Sequence, residues 1–258
     1  MCLEDRGTEV VLDQATKSAL VQKHNYFRRQ VSPRAGNMPK VVWDDELALV
    51  AGKWARQCVV GHDENKARRV PSLPGIHVGQ NGAFGQQTFV AGVQTWFNEV
   101  ADFEYGKGET TEGAVVGHYV QLVSARVQRI GCGQAYCPGY NYTRYYFCNY
   151  AIGTYSSDRQ TPYAKATKSC AHCPGFCDSS GKLCDCGGKI CLNGGTFDIS
   201  TCSCSCPDIF SGPTCETLTC PSEDRFYCGE DSWKPSACDK YGILAAVKCP
   251  YMCGLCPD

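Results

Sequence analysis

Cysteine is the residue type whose number and spacing point most directly to a chemistry, which is disulfide formation. The chain of 258 residues contains 21 cysteines, a density typical of proteins from an oxidising compartment. Only Cys2 and Cys58 lie in its first half, whereas sixteen cysteines lie between Cys170 and Cys256. The sequence therefore predicts a domain with a hydrophobic core of its own, followed by small modules that disulfides stabilise.

A second chemical signal is the sequon Asn141-Tyr142-Thr143, which in a secreted chain is an acceptor for an N-linked glycan. The charges are balanced, with 25 Lys and Arg against 26 Asp and Glu, so the chain lacks the single-sign field that attracts nucleic acid. No run of apolar residues is long enough to span a membrane. We expect a secreted glycoprotein that binds no nucleic acid and has no transmembrane segment.

Apolar residues at helical spacing predict the elements that position these groups. We expect four helices, the second capped by Asp44 or Asp45, near residues 12–30, 45–58, 89–100 and 115–123. Between Arg126 and Gly153, aromatic and β-branched residues with glycines between them predict two strands joined by the loop that carries Asn141. Because the helices and strands do not alternate regularly, the fold class is α+β, with an αβα-layered domain.

Four segments of the first domain resemble the CAP superfamily, which includes the cysteine-rich secretory proteins and the venom allergens. They are KHNYFRRQV, WDDELALVAGKWARQC, GHYVQLV at residues 117–123 and YYFCNY at residues 145–150. The resemblance implies the bridges Cys58–Cys137 and Cys132–Cys148. A further bridge of the venom branch is expected to be missing, because Val78 and Ala151 occupy its two ends.

Three cysteine-rich segments follow the CAP-like domain, and each resembles a small extracellular module: the hinge of cysteine-rich secretory proteins, an EGF-like module and the ShKT fold of sea-anemone toxins. The expected boundaries are 1–165, 166–185, 186–217 and 218–258. The resemblance implies the pairs Cys170–Cys177, Cys173–Cys184, Cys186–Cys202, Cys191–Cys204, Cys206–Cys215, Cys220–Cys256, Cys228–Cys249 and Cys238–Cys253. Cys2 is left over, either as a free thiol, as a link to another chain or as an end artefact.

CAP proteins bring two His and two Glu together in a central cleft, and the resemblance places His62, Glu99 and His118 at three of these positions. The fourth position holds Gln80, in Gly79-Gln80-Asn81, so one carboxylate has become an amide. Two interpretations stay open. The four side chains either hydrogen-bond among themselves, or His62 and His118 hold a divalent metal such as zinc, which the missing carboxylate would leave weakly bound.

Enzymatic activity would need a base or a nucleophile in this cleft. If Glu99 is a metal ligand, Gln80 cannot act as the base. Ser124 follows His118 by six residues, close to two helical turns, and could share a helical face with it. The catalytic candidates are therefore His62, Glu99, His118 and Ser124, although a Ser in place of the family's Trp is more simply a replacement.

Lys240 and Tyr241 resemble the adjacent Lys-Tyr pair with which ShKT toxins block potassium channels. Counted from Cys238, however, the toxin pair falls on Ile243 and Leu244. On a continuous helix a displacement of three residues rotates a side chain by about 300°. We therefore expect that Lys240 and Tyr241 do not block such a channel in the toxin's manner.

The sequence favours a non-enzymatic extracellular or venom effector that requires no cofactor and binds a protein target, either an ion channel or a receptor. Two alternatives remain. One is a secreted peptidase that uses the CAP cleft, and the other is a matrix or defence protein, with which the EGF-like module is compatible.

Overall fold

The computed structural model describes residues 5–257, so the unpaired Cys2 of the sequence analysis lies outside the described residues. The described chain divides into two compact units. The first comprises the residues up to Ser72, His77–Gly188 and Ile199–Thr201; the second comprises Leu73–Ile76, Lys189–Asp198 and the residues from Cys202 onward. The four predicted module boundaries are finer than this division and stay predictions.

The strands of the first unit are β1 (Thr8–Val10), β2 (Val42–Trp43), β3 (Val78–Phe84), β4 (Phe103–Glu104), β5 (Gly108–Glu109), β6 (Arg129–Tyr136) and β7 (Arg144–Ala151). A five-stranded sheet has the spatial order β1–β6–β7–β3, with β2 parallel to β6. Strands β4 and β5 form a separate antiparallel pair. In the sheet Val78 of β3 lies opposite Ala151 of β7. The two residues expected at the ends of the missing bridge are thus cross-strand neighbours.

The helices of the first unit are α1 (Gln14–Arg28), α2 (Asp45–Ala55), α3 (Phe89–Asn98) and α4 (Gly117–Val123). Side-chain oxygens of Asp13, Asp44 and Thr88 accept backbone N–H groups in the first turns of α1, α2 and α3, so three of these helices begin at an N-cap residue. The single-turn 3₁₀ helix Glu99–Asp102 follows α3 directly.

The sheet is covered on both faces, because side chains of β7 alternate between two cores. Tyr145 and Phe147 pack with Ala51 and Ala55 of α2. The intervening side chains of β7, Tyr146, Cys148 and Tyr150, belong to the larger core on the other face. This core also includes residues of α1, α3 and α4. The αβα-layered CAP fold predicted from the sequence is therefore confirmed.

Glycines in β6 let α2 approach the sheet closely. A Cβ atom at Gly131 would lie 2.2 Å from the backbone nitrogen of Ala48, and one at Gly133 would lie 2.2 Å from that of Gly52. Any larger residue at either position would therefore push the helix away from the strand.

Disulfide bridges stabilise each unit. In the first unit, the bridge Cys58–Cys137 joins the segment after α2 to the segment after β6, and Cys132–Cys148 joins β6 to β7. Two further bridges join Cys170 to Cys177 and Cys173 to Cys184. In the second unit the bridges are Cys191–Cys204, Cys206–Cys215, Cys220–Cys256, Cys228–Cys249 and Cys238–Cys253. Cys186 and Cys202 are disulfide-bonded as well.

The second unit consists of short elements, as expected for modules in which disulfides replace a large core. They are β8 (Thr196–Asp198), β9 (Ser203–Ser205), β10 (Phe210–Ser211), β11 (Thr217–Leu218), α5 (Ser236–Tyr241) and α6 (Ile243–Lys248). Strand β8 pairs with β9, and β10 pairs with β11. Within residues 5–257, no helix has the length and apolar character needed to cross a membrane.

Candidate functional site

Gln80 lies in the middle of β3, where its amide joins two polar side chains. The amide oxygen accepts a hydrogen bond from Nδ1 of His62 at 3.0 Å, and the amide nitrogen donates to Oδ1 of Asn149 at 3.0 Å. Asn149 lies directly opposite Gln80 in the sheet. Because Nδ1 of His62 carries the hydrogen, Nε2 of this imidazole keeps its lone pair.

The loop that carries His62 is attached to the elements on either side of it. The indole N–H of Trp54, in α2, donates to the carbonyl of Gly61 at 3.0 Å. Further along the loop, the guanidinium of Arg68 donates to the carbonyl of Val78 at 3.2 Å, at the start of β3. These contacts position the imidazole beside the sheet although the loop itself contains no strand.

Glu99, the first residue after α3, is held at the beginning of α4. Its Oε1 accepts a hydrogen bond from Nδ1 of His118 at 2.6 Å, and its Oε2 accepts the backbone N–H groups of His118 and Tyr119 at 2.9 and 3.0 Å. A carboxylate at a helix N-terminus is stabilised by such N–H groups. Glu99 therefore orients His118 through two hydrogen bonds, and the bond from Tyr119 attaches it to the first turn of α4.

The structure brings the four cleft residues of the sequence analysis together as two pairs, His62–Gln80 and His118–Glu99, which we call the cleft pairs. The two imidazole ring centres are 6.4 Å apart. The ring of Trp96, from α3, stacks on His118 with a centre-to-centre distance of 6.4 Å and an interplanar angle of 15°. A hydrogen bond is present within each pair.

Burial controls the charges near His62. Desolvation lowers the pKa of His62, the hydrogen bond with Gln80 opposes this shift, and the neighbouring His118 and the guanidinium of Arg68 lower the pKa further. Burial also raises the pKa of Asp63 to about 6, although the guanidinium of Arg68 lies only 2.7 Å from this carboxylate and opposes the shift. His62 is therefore a neutral imidazole at neutral pH.

Asp63, Arg68 and Asn149 are the cleft residues that the sequence analysis missed. Asp63 and Arg68 are buried, at 9% and 8% exposure, and Asn149 is fully buried. The sequence contains one signal for Asn149, which is a polar residue among the apolar and aromatic residues of β7. Nothing in the spacing of Asp63 and Arg68 indicates that they form a buried ion pair beside Gln80.

Ser124 lies away from the imidazoles. It follows the last residue of α4, is fully buried, and its hydroxyl oxygen accepts the backbone N–H of Arg126 at 3.2 Å. Six residues of helix separate His118 from Ser124 by about 9 Å along the axis. Ser124 thus ends the helix rather than sharing a helical face with His118, and it is out of hydrogen-bond reach of that imidazole.

The cleft pairs have part of what a metal site needs. Each imidazole donates its Nδ1–H to an oxygen, which is the usual second contact of a metal-binding histidine, and each keeps Nε2 available. Among the residues that the structure describes, however, no group of three or more His, Cys, Asp or Glu side chains is arranged to hold a metal ion. The cleft pairs thus offer two imidazoles, which is fewer protein ligands than a typical zinc site provides.

Two predicted sites lie outside the cleft. Asn141 is exposed in the loop between β6 and β7, where it is accessible for glycosylation. In the second unit, Lys240 lies near the end of α5 and its ammonium lies 4.9 Å from the ring centre of Tyr241. Gly242, with φ of 54°, separates α5 from α6. The assumption of one continuous helix from Lys240 to Leu244 is therefore wrong.

The αβα sandwich, the cleft pairs and the disulfide-bonded second unit define an extracellular CAP protein. The chain belongs to the CAP cysteine-rich secretory protein family, whose model matches residues 21–150. The cysteine-rich venom protein of Conus textile is 39% identical, over all of this chain and 86% of that protein. Cysteine-rich secretory protein 3 of Equus caballus is 42% identical, over 62% of this chain and 65% of that protein.

Comparison with solved structures agrees with this fold. The crystal structure of NaASP2 with Zn²⁺ has a TM-score of 0.54, with 24% sequence identity, and the match covers 71% of this chain and all of that one. At this level of identity the likeness concerns the fold alone.

Proposed function

We propose that this chain is a secreted, non-enzymatic effector that binds an extracellular protein target, either a channel or a receptor. Its similarity to a cysteine-rich venom protein along its whole length supports this role. The balanced charge also favours a specific protein target over nucleic acid, which binds proteins chiefly through a basic surface.

The observation that carries the non-enzymatic part of the proposal is the use of the cleft's polar groups for one another. Both oxygens of Glu99 accept hydrogen bonds, three in total. Gln80 cannot accept a proton as a carboxylate would. The hydroxyl of Ser124 is buried and bonded to a backbone N–H. Among the described cleft residues, no carboxylate is therefore left free to act as a base, and the hydroxyl of Ser124 is not an activated nucleophile.

We also propose that His62 and His118 bind a divalent metal weakly through Nε2. When bound, such an ion would act as a Lewis acid on a ligand that enters the cleft. The residues of this chain would orient the imidazoles, through Gln80 on one side and Glu99 on the other. NaASP2, which shares the fold, was crystallised with Zn²⁺.

Two measurements on the full chain test the proposed effector role. Incubation with a peptide library, with and without added zinc, is expected to give no cleavage products by mass spectrometry. Cleavage that is lost in His118→Gln would instead make the chain a peptidase. Fluorescently labelled protein should bind saturably to protease-sensitive sites on intact cells from the target tissue. Failure to find saturable binding across excitable and epithelial cells would contradict the effector role.

We further propose that Asn141 carries an N-linked glycan, because it is exposed in the loop between β6 and β7 and has Thr143 at the required position. Protein secreted from eukaryotic cells should lose mass on treatment with an N-glycosidase. Thr143→Ala should remove that mass shift. An unchanged mass after treatment would contradict the proposal.

A further inference from the structure

The second unit contains an apolar groove of about 530 Å³. Its walls include Trp233, Tyr241, Leu244 and Val247, together with Pro207 and Lys248. The groove is open to solvent, since Leu244 is 64% and Tyr241 is 42% exposed. Exposed apolar side chains that lie together in a concave surface are typical of a binding site rather than of a solvated surface.

Disulfides hold the walls of the groove in place. Helices α5 and α6 supply Tyr241, Leu244 and Val247, and the bridges Cys238–Cys253 and Cys228–Cys249 attach these helices to the rest of the unit. A groove whose walls are already ordered loses little conformational entropy when a ligand binds. The apolar surface is therefore available without a rearrangement of the unit.

Lys248 lines the groove, whereas Lys240 lies outside its lining residues with its ammonium near the ring of Tyr241. Nζ of Lys248 lies 4.9 Å from the ring centre of Trp233, and Nζ of Lys240 lies 4.9 Å from the ring centre of Tyr241. Among the side chains of residues 5–257, no carboxylate lies within 4.0 Å of either ammonium. The groove thus combines an apolar floor with positive charge that no acidic side chain of the described chain neutralises at contact distance.

We propose that this groove binds a short segment of the extracellular protein target in which an apolar side chain lies next to a carboxylate. The apolar side chain would pack on Trp233, Tyr241 and Leu244, and the carboxylate would pair with Lys248. A charged group beside an apolar anchor gives selectivity for the partner as well as affinity. This proposal rests on the proposed function, because it identifies the surface with which the effector contacts its target.

The test uses the full chain and a fluorescein-labelled peptide of alternating leucine and aspartate as the probe. Fluorescence anisotropy should show saturable binding that is at least about tenfold tighter than binding of the matched leucine–lysine and serine–aspartate peptides. Leu244→Asp should weaken binding by about tenfold or more. Lys248→Glu should weaken it and should restore binding of the leucine–lysine peptide. Phe226→Asp is the matched control, because Phe226 is 92% exposed in the same unit but does not line the groove.

Several outcomes would overturn the proposal. One is equal binding of all three peptides, and another is peptide binding that neither Leu244→Asp nor Lys248→Glu weakens. The third is binding of phosphatidylserine vesicles in preference to the peptide, because the groove would then be a membrane contact. Cell binding separates this proposal from the proposed function. If labelled protein binds cells equally well with Leu244→Asp, the groove proposal fails and the effector role stands. If the peptide binds but no cell does, the effector role fails instead.

Discussion

At the scale of single residues, the side chain at position 80 determines how much negative charge the cleft contains. Gln80 presents a neutral oxygen to His62 at 3.0 Å, whereas Glu99 presents a carboxylate oxygen to His118 at 2.6 Å. A carboxylate that accepts the N–H of an imidazole makes the other ring nitrogen a better metal ligand. In the weak metal site that we propose, His62 would therefore be the weaker of the two ligands.

We expect Gln80→Glu to tighten zinc binding by about tenfold or more, because it gives His62 the same kind of partner that His118 has. Isothermal calorimetry with zinc measures this change in the full chain. His62→Gln in the same background is the control, and it should abolish the gain. Unchanged affinity in Gln80→Glu would show that the partner of His62 does not govern metal binding here.

The four central cleft residues could be placed from the sequence because they occur within motifs that share their spacing with a known family. Their partners could not. Asp63 and Arg68 form a buried ion pair only because the loop after α2 folds back against β3. This folding depends on packing between segments distant in the chain, about which local residue spacing carries no information.

At the scale of elements, Arg28 connects α1 to three other segments. Its guanidinium is 1% exposed and donates to four backbone carbonyls, those of Pro39, Leu122, Ser124 and Val127. Burial lowers the pKa of Arg28 to about 9, so the group stays charged at neutral pH. Its planar, forked donors reach several acceptors at once, which a lysine ammonium cannot do.

We therefore expect Arg28→Lys to lower the free energy of unfolding by roughly 2–4 kcal/mol, because it leaves buried carbonyls without a donor. Chemical denaturation followed by tryptophan fluorescence measures the loss. Arg29→Lys is the matched control, since Arg29 is partly exposed and pairs with Asp178 at 3.5 Å. Its effect should stay below about 1 kcal/mol. Equal effects of the two substitutions would contradict this role of Arg28.

His24 gives the attachment of α1 to the sheet a dependence on pH. Its Nδ1 donates to the carbonyl of Leu20 at 2.8 Å, so its Nε2 accepts the hydroxyl of Tyr150 at 3.0 Å. Burial, with a smaller contribution from the charge of Arg28, lowers the pKa of His24 from 6.5 to about 4. Between these two values the unfolded chain binds a proton that the folded chain does not. Stability is therefore complete above pH 6.5 and decreases as the pH falls toward 4.

His24→Gln should remove this part of the pH dependence. Between pH 7 and pH 5 the free energy of unfolding of the unsubstituted chain should decrease by about 2 kcal/mol more than that of the variant. Denaturant titrations at the two pH values measure the difference, in which contributions of other groups cancel. His172→Gln, at an exposed position, should leave the decrease unchanged. Equal decreases in His24→Gln and the unsubstituted chain would show that His24 does not couple folding to protons.

The helices of the first unit could be predicted from the sequence because their apolar spacing and caps are local properties. Strand β3 could not, because Gly79, Gln80, Asn81 and Gly82 lack the residue types that favour strands. It forms since it pairs with β7 along its whole length. Gly242 shows a similar limit in the second unit, where a positive φ interrupts what would otherwise be one helix.

At the scale of the whole molecule, the two units differ in what stabilises them. The core of the first unit contains large side chains from several helices and strands, such as Trp96, Tyr119 and Tyr150. The buried apolar residues of the second unit other than cysteine are few: Leu73, Ile190, Phe210, Ala237 and Ala245. Each native bridge in such a small module contributes roughly 2–5 kcal/mol to stability. Disulfides must therefore supply most of the stability of the second unit.

We accordingly expect mild reduction to unfold the second unit while the first unit stays folded. Cysteines 132, 137 and 148 lie within the core of the first unit, at 0–2% exposure, so a reductant reaches them slowly. Cys228 and Cys206, in the second unit, are only partly buried. Limited proteolysis after graded reduction, followed by mass spectrometry, should release fragments from beyond residue 189 first, with the cleavage pattern of residues 8–151 in the first unit unchanged. Earlier cleavage within α1–α4 would mean that the first unit also depends on its bridges, because the layered core would then not be sufficient to hold it together.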